Sequence, residues 1–227
     1  MNCSIKSIRS HVVVIGLTSI LLTTAACSRQ QPTVSDNDGN SYGTVTIAGK
    51  AWTTENLAVA HYRNGDPIPE IKDSLEWAKA TTGAWCYNQN NADNGKTYGK
   101  LYNWYAVNDP RGLAPKGWHV ATDAEWQAAS AELGGDSESA GAMKADGLWK
   151  NNSAINAHPS GLNLLPSGAR RDNDGYYLPP GEYGRFWSAT ESSPESAWGY
   201  SISYYDNALR RGKANHHIGF AVRCVKD

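Results

Sequence analysis

The chain has no excess of charge of either sign: 21 lysines and arginines face 22 aspartates and glutamates, for a formal net charge of −1. Phosphate binding needs a concentrated basic face, so this balance excludes nucleic acid as a partner. The steps Arg170-Arg171 and Arg210-Arg211 read as solvated loop charge rather than as a phosphate site. Several catalytic motifs are missing as well. There is no HExxH, no GxSxG, no glycine loop ending in Lys-Ser/Thr and no CxxC, which removes the usual signatures of zinc proteases, α/β-hydrolases, nucleotide hydrolases and dithiol enzymes. No cofactor or metal is implied. Cysteine is scarce, at four residues, and the position of each one matters.

The first 26 residues read as an export signal. Lys6 and Arg9 make a positive start, Val12 to Leu22 form an apolar stretch too short for a membrane span, and small residues lead to Cys27. This resembles the lipobox of bacterial lipoproteins, in which the cysteine carries the lipid and becomes residue one of the mature chain. Thr24 stands where that pattern usually has leucine, which leaves plain secretory cleavage as the alternative. Ser28, rather than aspartate, follows the lipid cysteine and fits sorting to an outer membrane. The expected location is the bacterial cell envelope, as an outer-membrane lipoprotein facing the periplasm or the surface, with the membrane as a partner through the lipid. With Cys3 lost and Cys27 lipidated, Cys86 and Cys224 remain in an oxidising compartment. A disulfide between them, worth about 4–5 kcal/mol in the chain-entropy picture, is the simplest account, and two separately buried thiols are the alternative.

About 200 residues then remain, enough for one domain. Residues 27–43 are polar and turn-rich and read as a flexible tether. The acidic run at 35–40 lacks the distal glutamate of an EF-hand loop, so linker is the better reading. Residues 44–227 form the domain. Val45 and Ile47 alternate with threonines ahead of an Ala-Gly-Lys turn, as in a strand and hairpin. Residues 73–80 suit a short helix capped by Asp73 or Ser74, with Leu75 and Ala78 on its apolar face. The aromatics of 96–109 fit a helix face through Tyr98, Leu101, Tyr102 and Tyr105 as well as a strand alternation. The best-marked element is a helix over 123–133, opened by a Thr122/Glu125 capping box, carried by Trp126, Ala129 and Leu133, and closed by Gly134 or Gly135. Residues 146–196 read as long loops. Two strands follow, with Trp198, Tyr200, Ile202 and Tyr204 on one face and Ile218, Phe220, Val222 and Cys224 on another, joined by a turn at Asp206-Asn207. Helices segregated from an antiparallel sheet make an α+β fold.

The chemistry-bearing residues favour modest roles. Asp172, Asn173 and Asp174 before Gly175 suit a turn better than a metal site. His216 and His217 are adjacent and would point to opposite faces of a strand, so a loop pair is the better reading. His119 fits a hydrogen-bonded role better than that of a general base, since no nucleophile motif accompanies it. Glu191 and Glu195 could act as a carboxylate pair only at a suitable separation in space, which sequence does not give. Tyr176, Tyr177 and Tyr183, with Asp172 and Asp174, are the candidate ligand-binding residues, because tyrosine offers an apolar ring with a polar tip.

Five ordered blocks, YGKLYNWYAV, LAPKGWHVATDAEW, LLPSGARRDNDGYY, RFWSATE and GFAVRCVKD, resemble the Fibrobacter succinogenes major domain family. The WHVATDAEW block and the closing IGFAVRCV strand are similar to those of sulfatase-modifying, formylglycine-generating factors, and more distantly to C-type lectins. The resemblance implies a C-type-lectin-like domain of two main helices, a small antiparallel sheet and long ligand-facing loops. It places 96–109 in a helix and its rings in the core. Formylglycine generation uses paired cysteines to hold copper, and this chain has only Cys86 and Cys224, the latter inside the closing strand. Calcium-dependent sugar binding is poorly supported too, since neither Ser193-Pro194-Glu195 nor Tyr205-Asp206-Asn207 keeps the lectin order. The expectation is a lipid-anchored, non-catalytic domain that binds a glycan or an envelope protein. An enzyme of altered chemistry and a structural envelope component are the competing readings.

Overall fold

The computed structural model describes residues 32–152 and 159–227. The signal, Cys27 and the start of the tether lie outside these residues. β1 (Thr33–Ser35) and β2 (Ser41–Ile47) pair antiparallel across a turn built on Asp36. Its carboxylate accepts the amides of Asp38 and Asn40, each at 2.9 Å, and the Tyr42 hydroxyl. The tether expected over 27–43 therefore ends earlier, because the chain is bonded into the domain from Pro32, whose carbonyl accepts the Thr44 amide. β2 doubles back into β3 (Lys50–Thr53) through Ala48 and Gly49. Both have positive φ, 51° and 72°, the two-residue turn that matches the twist of a hairpin.

The middle of the chain alternates short helices with short strands. Asp73 caps α1 (Ser74–Lys79) by accepting the Leu75 and Glu76 amides. The residue this helix buries is Trp77, while Leu75 is 65% exposed, so the expected Leu75–Ala78 face is not the packing face. After β4 (Trp85–Cys86), the single helix expected over 96–109 is broken into three pieces: α2 (Ala92–Tyr98), β5 (Leu101–Tyr102) and α3 (Trp104–Val107). The break falls at Gly99, where φ is 73° and an added Cβ would stand 2.9 Å from the Leu57 carbonyl oxygen. Only glycine meets both conditions. The rings still enter the core, with Leu101, Tyr102 and Trp104 buried.

β6 (Trp118–Val120) leads into α4 (Asp123–Glu132), whose Thr122/Glu125 capping box is formed in both directions. α5 (Ser139–Met143) follows. Among the described residues α4 alone reaches ten residues, so they hold one main helix and four short ones where two main helices were expected. β7 (Ala169–Arg170) and β8 (Tyr177–Leu178) make a small ribbon. β9 (Tyr183–Ser193), the longest strand, lies in the region expected to be loops. β10 (Ser196–Ser203) pairs with β9 on one side and with β11 (Arg210–Asn215) on the other. The turn at 204–209 thus delivers the chain into Arg210–Asn215 and not directly into the closing strand β12 (Cys224–Lys226). The result is a mixed fold of mostly antiparallel sheet with few helices. One sheet runs β1-β2-β3-β12-β6 and a second runs β11-β10-β9, with the β4-β5 and β7-β8 ribbons beside them. Among the described residues no helix is long and apolar enough to cross a membrane.

Residues 219–225 join these parts. Gly219 exchanges backbone hydrogen bonds with Arg170, and Phe220 does so with Tyr102. Ala221 bonds to Arg185 and Trp187, Val222 accepts from Leu57, and Arg223 accepts from Ala121. Phe220, Ala221, Val222, Arg223, Cys224 and Val225 are all buried, so both faces of the segment are covered, whereas one was expected. Arg223 is sealed from solvent and spends its guanidinium on Asn56 and on the carbonyls of Thr53, Leu162 and Asn163. Arg170, read from sequence as solvated, is also sealed, and it donates to the carbonyls of Ile71, Lys72, Asp73 and Gly175.

The expected disulfide is absent. Cys86 and Cys224 are free thiols buried in two different hydrophobic clusters. Burial pushes them up to about 11 and about 12, which makes both inert as nucleophiles.

His119 binds the end of the chain to the start of α4, with Nδ1 2.7 Å from Asp227 and Nε2 2.9 Å from Glu125. Partial burial works against its charge, but the two carboxylates prevail and raise its pKa above 6.5. A raised folded pKa stabilises the fold fully below the ordinary value, and that contribution is lost as pH climbs through the folded one. The fall in melting temperature on raising pH above about 6.5 is accordingly expected to be shallower in His119→Gln than in the parent, as followed by circular dichroism across pH.

Candidate functional site

The predicted ligand-binding residues do not form one site. Asp174 accepts hydrogen bonds from the Arg171 side chain and the Tyr176 amide, so its carboxylate is used within its own turn. Gly175 presses that turn against Ser74, where an added Cβ would come within 2.6 Å of the Ser74 carbonyl oxygen. Tyr177 donates its hydroxyl to Asn90 at 2.8 Å and lies 5.0 Å from the Arg170 guanidinium, as a lid over that buried charge. Tyr176 stands 67% exposed beside Arg171, and Asp172 is half-buried. Tyr183 belongs elsewhere, at the start of β9.

The histidines also separate. His216 is buried and stacks on Trp104 at 4.2 Å, while His217 bonds to Asn215 and meets Tyr105 edge-on. Glu191 and Glu195 are both exposed. Among the described residues no cluster of histidine, cysteine and carboxylate side chains could hold a metal ion.

Tyr183 leads to a different surface, one face of the three-stranded sheet. In that sheet Trp187 pairs with Gly199 and Gly199 with Gly212, while Arg185 pairs with Ser201 and Ser201 with Arg210. Paired residues share a face, so two glycines lie side by side where neighbouring positions carry arginines. Phe220 packs under Gly199 and leaves no room for a Cβ, which would fall 2.9 Å from its ring. Gly212 has no atom within 4 Å of the same position. The result is a hollow of ≈ 140 Å³ lined by these glycines, Phe220, Arg185 and Arg210.

Aromatic rings stand at its edge. The Tyr183 ring lies 5.8 Å from the Arg185 guanidinium, and the Tyr205 ring, 60% exposed, lies 5.8 Å from that of Arg210. The two rings meet edge to face at 6.4 Å. Two exposed-side tyrosines beside two guanidiniums can stack on an apolar ring face while offering hydrogen bonds to polar groups around it.

Sequence reasoning missed Arg185, Tyr205, Gly199 and Gly212. The available signal was a glycine inside each of two strands, which marks close backbone approach or an empty side-chain position.

The model of the Fibrobacter succinogenes major domain family matches residues 45–226 of the chain. No curated protein and no solved structure matches it.

The two glycines should respond differently to substitution. Gly199→Ala forces Phe220 to move and is expected to cost about 1–3 kcal/mol. Gly212→Ala points into open space and should change stability by no more than about 0.5 kcal/mol. Urea denaturation of both variants measures the difference.

Proposed function

This chain belongs to the Fibrobacter succinogenes major domain family, and on that premise we propose that it is a lipid-anchored cell-envelope protein whose single domain binds a glycan without converting it. The anchor is Cys27, set by the positive, apolar and small-residue order of the first 26 residues, and the location is the outer membrane of a bacterial envelope. The architecture is read as C-type-lectin-like and related to sulfatase-modifying factors. Support for this comes from the capped helix after WHVATDAEW, the curled antiparallel sheets and the central closing segment.

The observation that carries the binding role is the Tyr183–Tyr205 pair opening onto the arginine-lined hollow. Sugars combine apolar ring faces with hydroxyls that accept hydrogen bonds, and this surface offers both partners. The competing enzymatic reading draws no support from the thiols, since Cys86 and Cys224 lie in different clusters and cannot together hold copper as a pair.

Purified mature protein applied to an array of polysaccharides and, separately, to envelope protein extracts tests the reading. Glycan retention that falls about tenfold in Tyr205→Ala, equivalent to ~1.4 kcal/mol, is the expected result. Retention of an envelope protein with no glycan retained would replace the glycan with a protein ligand. The anchor is checked in cells, where Cys27→Ala should move the protein from the membrane fraction to the soluble one.

A further inference from the structure

Arg185 differs from every other described arginine. Arg170 and Arg223 are saturated by carbonyls, and Arg63 donates to the carbonyls of Ala114 and Trp118. Arg111, Arg171, Arg210 and Arg211 are paired with Asp109, Asp174, Asp206 and Asp123. Among the described residues the Arg185 side chain has no hydrogen-bond acceptor, and its Nε is shielded from solvent with none. A buried donor left in this state is costly, and more so when it carries charge.

The surroundings point to what is missing. The charged side chains lining the hollow are Arg185, Arg210, Arg211 and Lys213, with no carboxylate among them. Asp206 and Asp123 neutralise two of these four, which leaves Arg185 and Lys213 as net positive charge at the site. Burial also lowers the Arg185 pKa, as expected where no anion offsets the loss of water. Gly212, with no atom within 4 Å of where its Cβ would stand, keeps its part of the hollow clear of side chains.

We infer that this hollow receives the carboxylate of an acidic glycan, with Arg185 as its anchor. This rests on the glycan-binding reading above and adds the class of sugar. The outer end of a guanidinium presents one N–H from each of its two Nη atoms in parallel, a fork that matches the two oxygens of a carboxylate. The size agrees. A hollow of ≈ 140 Å³ is smaller than the several hundred cubic ångströms of a site that engulfs a ligand. It admits a charged substituent, while the sugar ring that bears it stays outside against Tyr183 and Tyr205. A uronic acid carries its carboxylate on such a substituent.

Oligogalacturonate and its methyl ester share one backbone and differ only in carboxylate charge, so calorimetric titration of both isolates the charged contact. The parent protein is expected to bind the free acid at least tenfold more tightly than the ester, with the preference shrinking at high salt. Arg185→Gln should abolish the preference while keeping ester binding. Gly212→Val, which fills the hollow without touching the guanidinium, should do the same and guards against a folding defect in the first variant. Equal binding of acid and ester by the parent would overturn the carboxylate site and leave the glycan reading standing. If neither oligomer binds but acetate, a carboxylate without a sugar, shifts the Arg185 Nε–H resonance, the anion site stands and the glycan reading falls. No binding and no shift overturns both.

Discussion

The structure depends on one constraint, the backbone pairing of residues 219–223 with five remote parts of the chain. This segment crosses between the two main sheets, and water reaches neither of its faces. Its amides and carbonyls must find protein partners, since an unpaired buried group costs about as much as a lost hydrogen bond. They find them in sequence on Arg170, Tyr102, the β9 backbone, Leu57 and Ala121 before β12 enters the first sheet. Each bond fixes one remote part of the chain against the same axis. Seating the C-terminal segment therefore depends on partners as far back in the chain as Leu57.

A second consequence concerns the loops. With few helices and short strands, much of the backbone would otherwise leave carbonyls unpaired in the interior. Arg170 and Arg223 answer this by spreading their donors over carbonyls from separate segments. Tryptophan answers it again. Trp85, Trp104, Trp126, Trp149 and Trp187 each donate an indole N–H to a backbone oxygen while burying a large apolar ring. Loops pinned this way are rigid parts of the core, which explains why Tyr177, expected to meet a ligand, instead seals Arg170.

What the sequence made legible was local. The Thr122/Glu125 box, the Asp73 cap and the Ala48-Gly49 turn satisfy backbone groups within a few residues, so their signals are contiguous in the chain. The burial of Leu101, Tyr102 and Trp104 was legible for the same reason, as a dense aromatic run. What failed was pairing at a distance. Nothing near Gly99 announces the Leu57 carbonyl that forces the break there, and nothing near Arg170 shows that it will be surrounded by carbonyls from residues 71–73. The disulfide argument failed in a related way. Compartment and count made a pair of Cys86 and Cys224, whereas the fold sends them into different clusters. The proposed binding surface was half legible, through Tyr183, because its other members are gathered by the register of β9, β10 and β11.

That register also explains why Arg185 stays unpaired. On the same face of the sheet, the position facing Arg185 is Ser201 and the next is Arg210, whose carboxylate partner Asp206 comes from its own turn. The neighbouring row holds Trp187, Gly199 and Gly212, none of which carries an acceptor on its side chain. A fold that supplies carbonyls to Arg170 and Arg223 through irregular backbone cannot supply them here, because the carbonyls of a regular ladder are already committed to neighbouring strands. An arginine in the middle of a paired strand can be satisfied only by a side chain, by water or by a ligand. Among the described residues the fold provides no carboxylate, and Gly212 leaves open space in the same hollow.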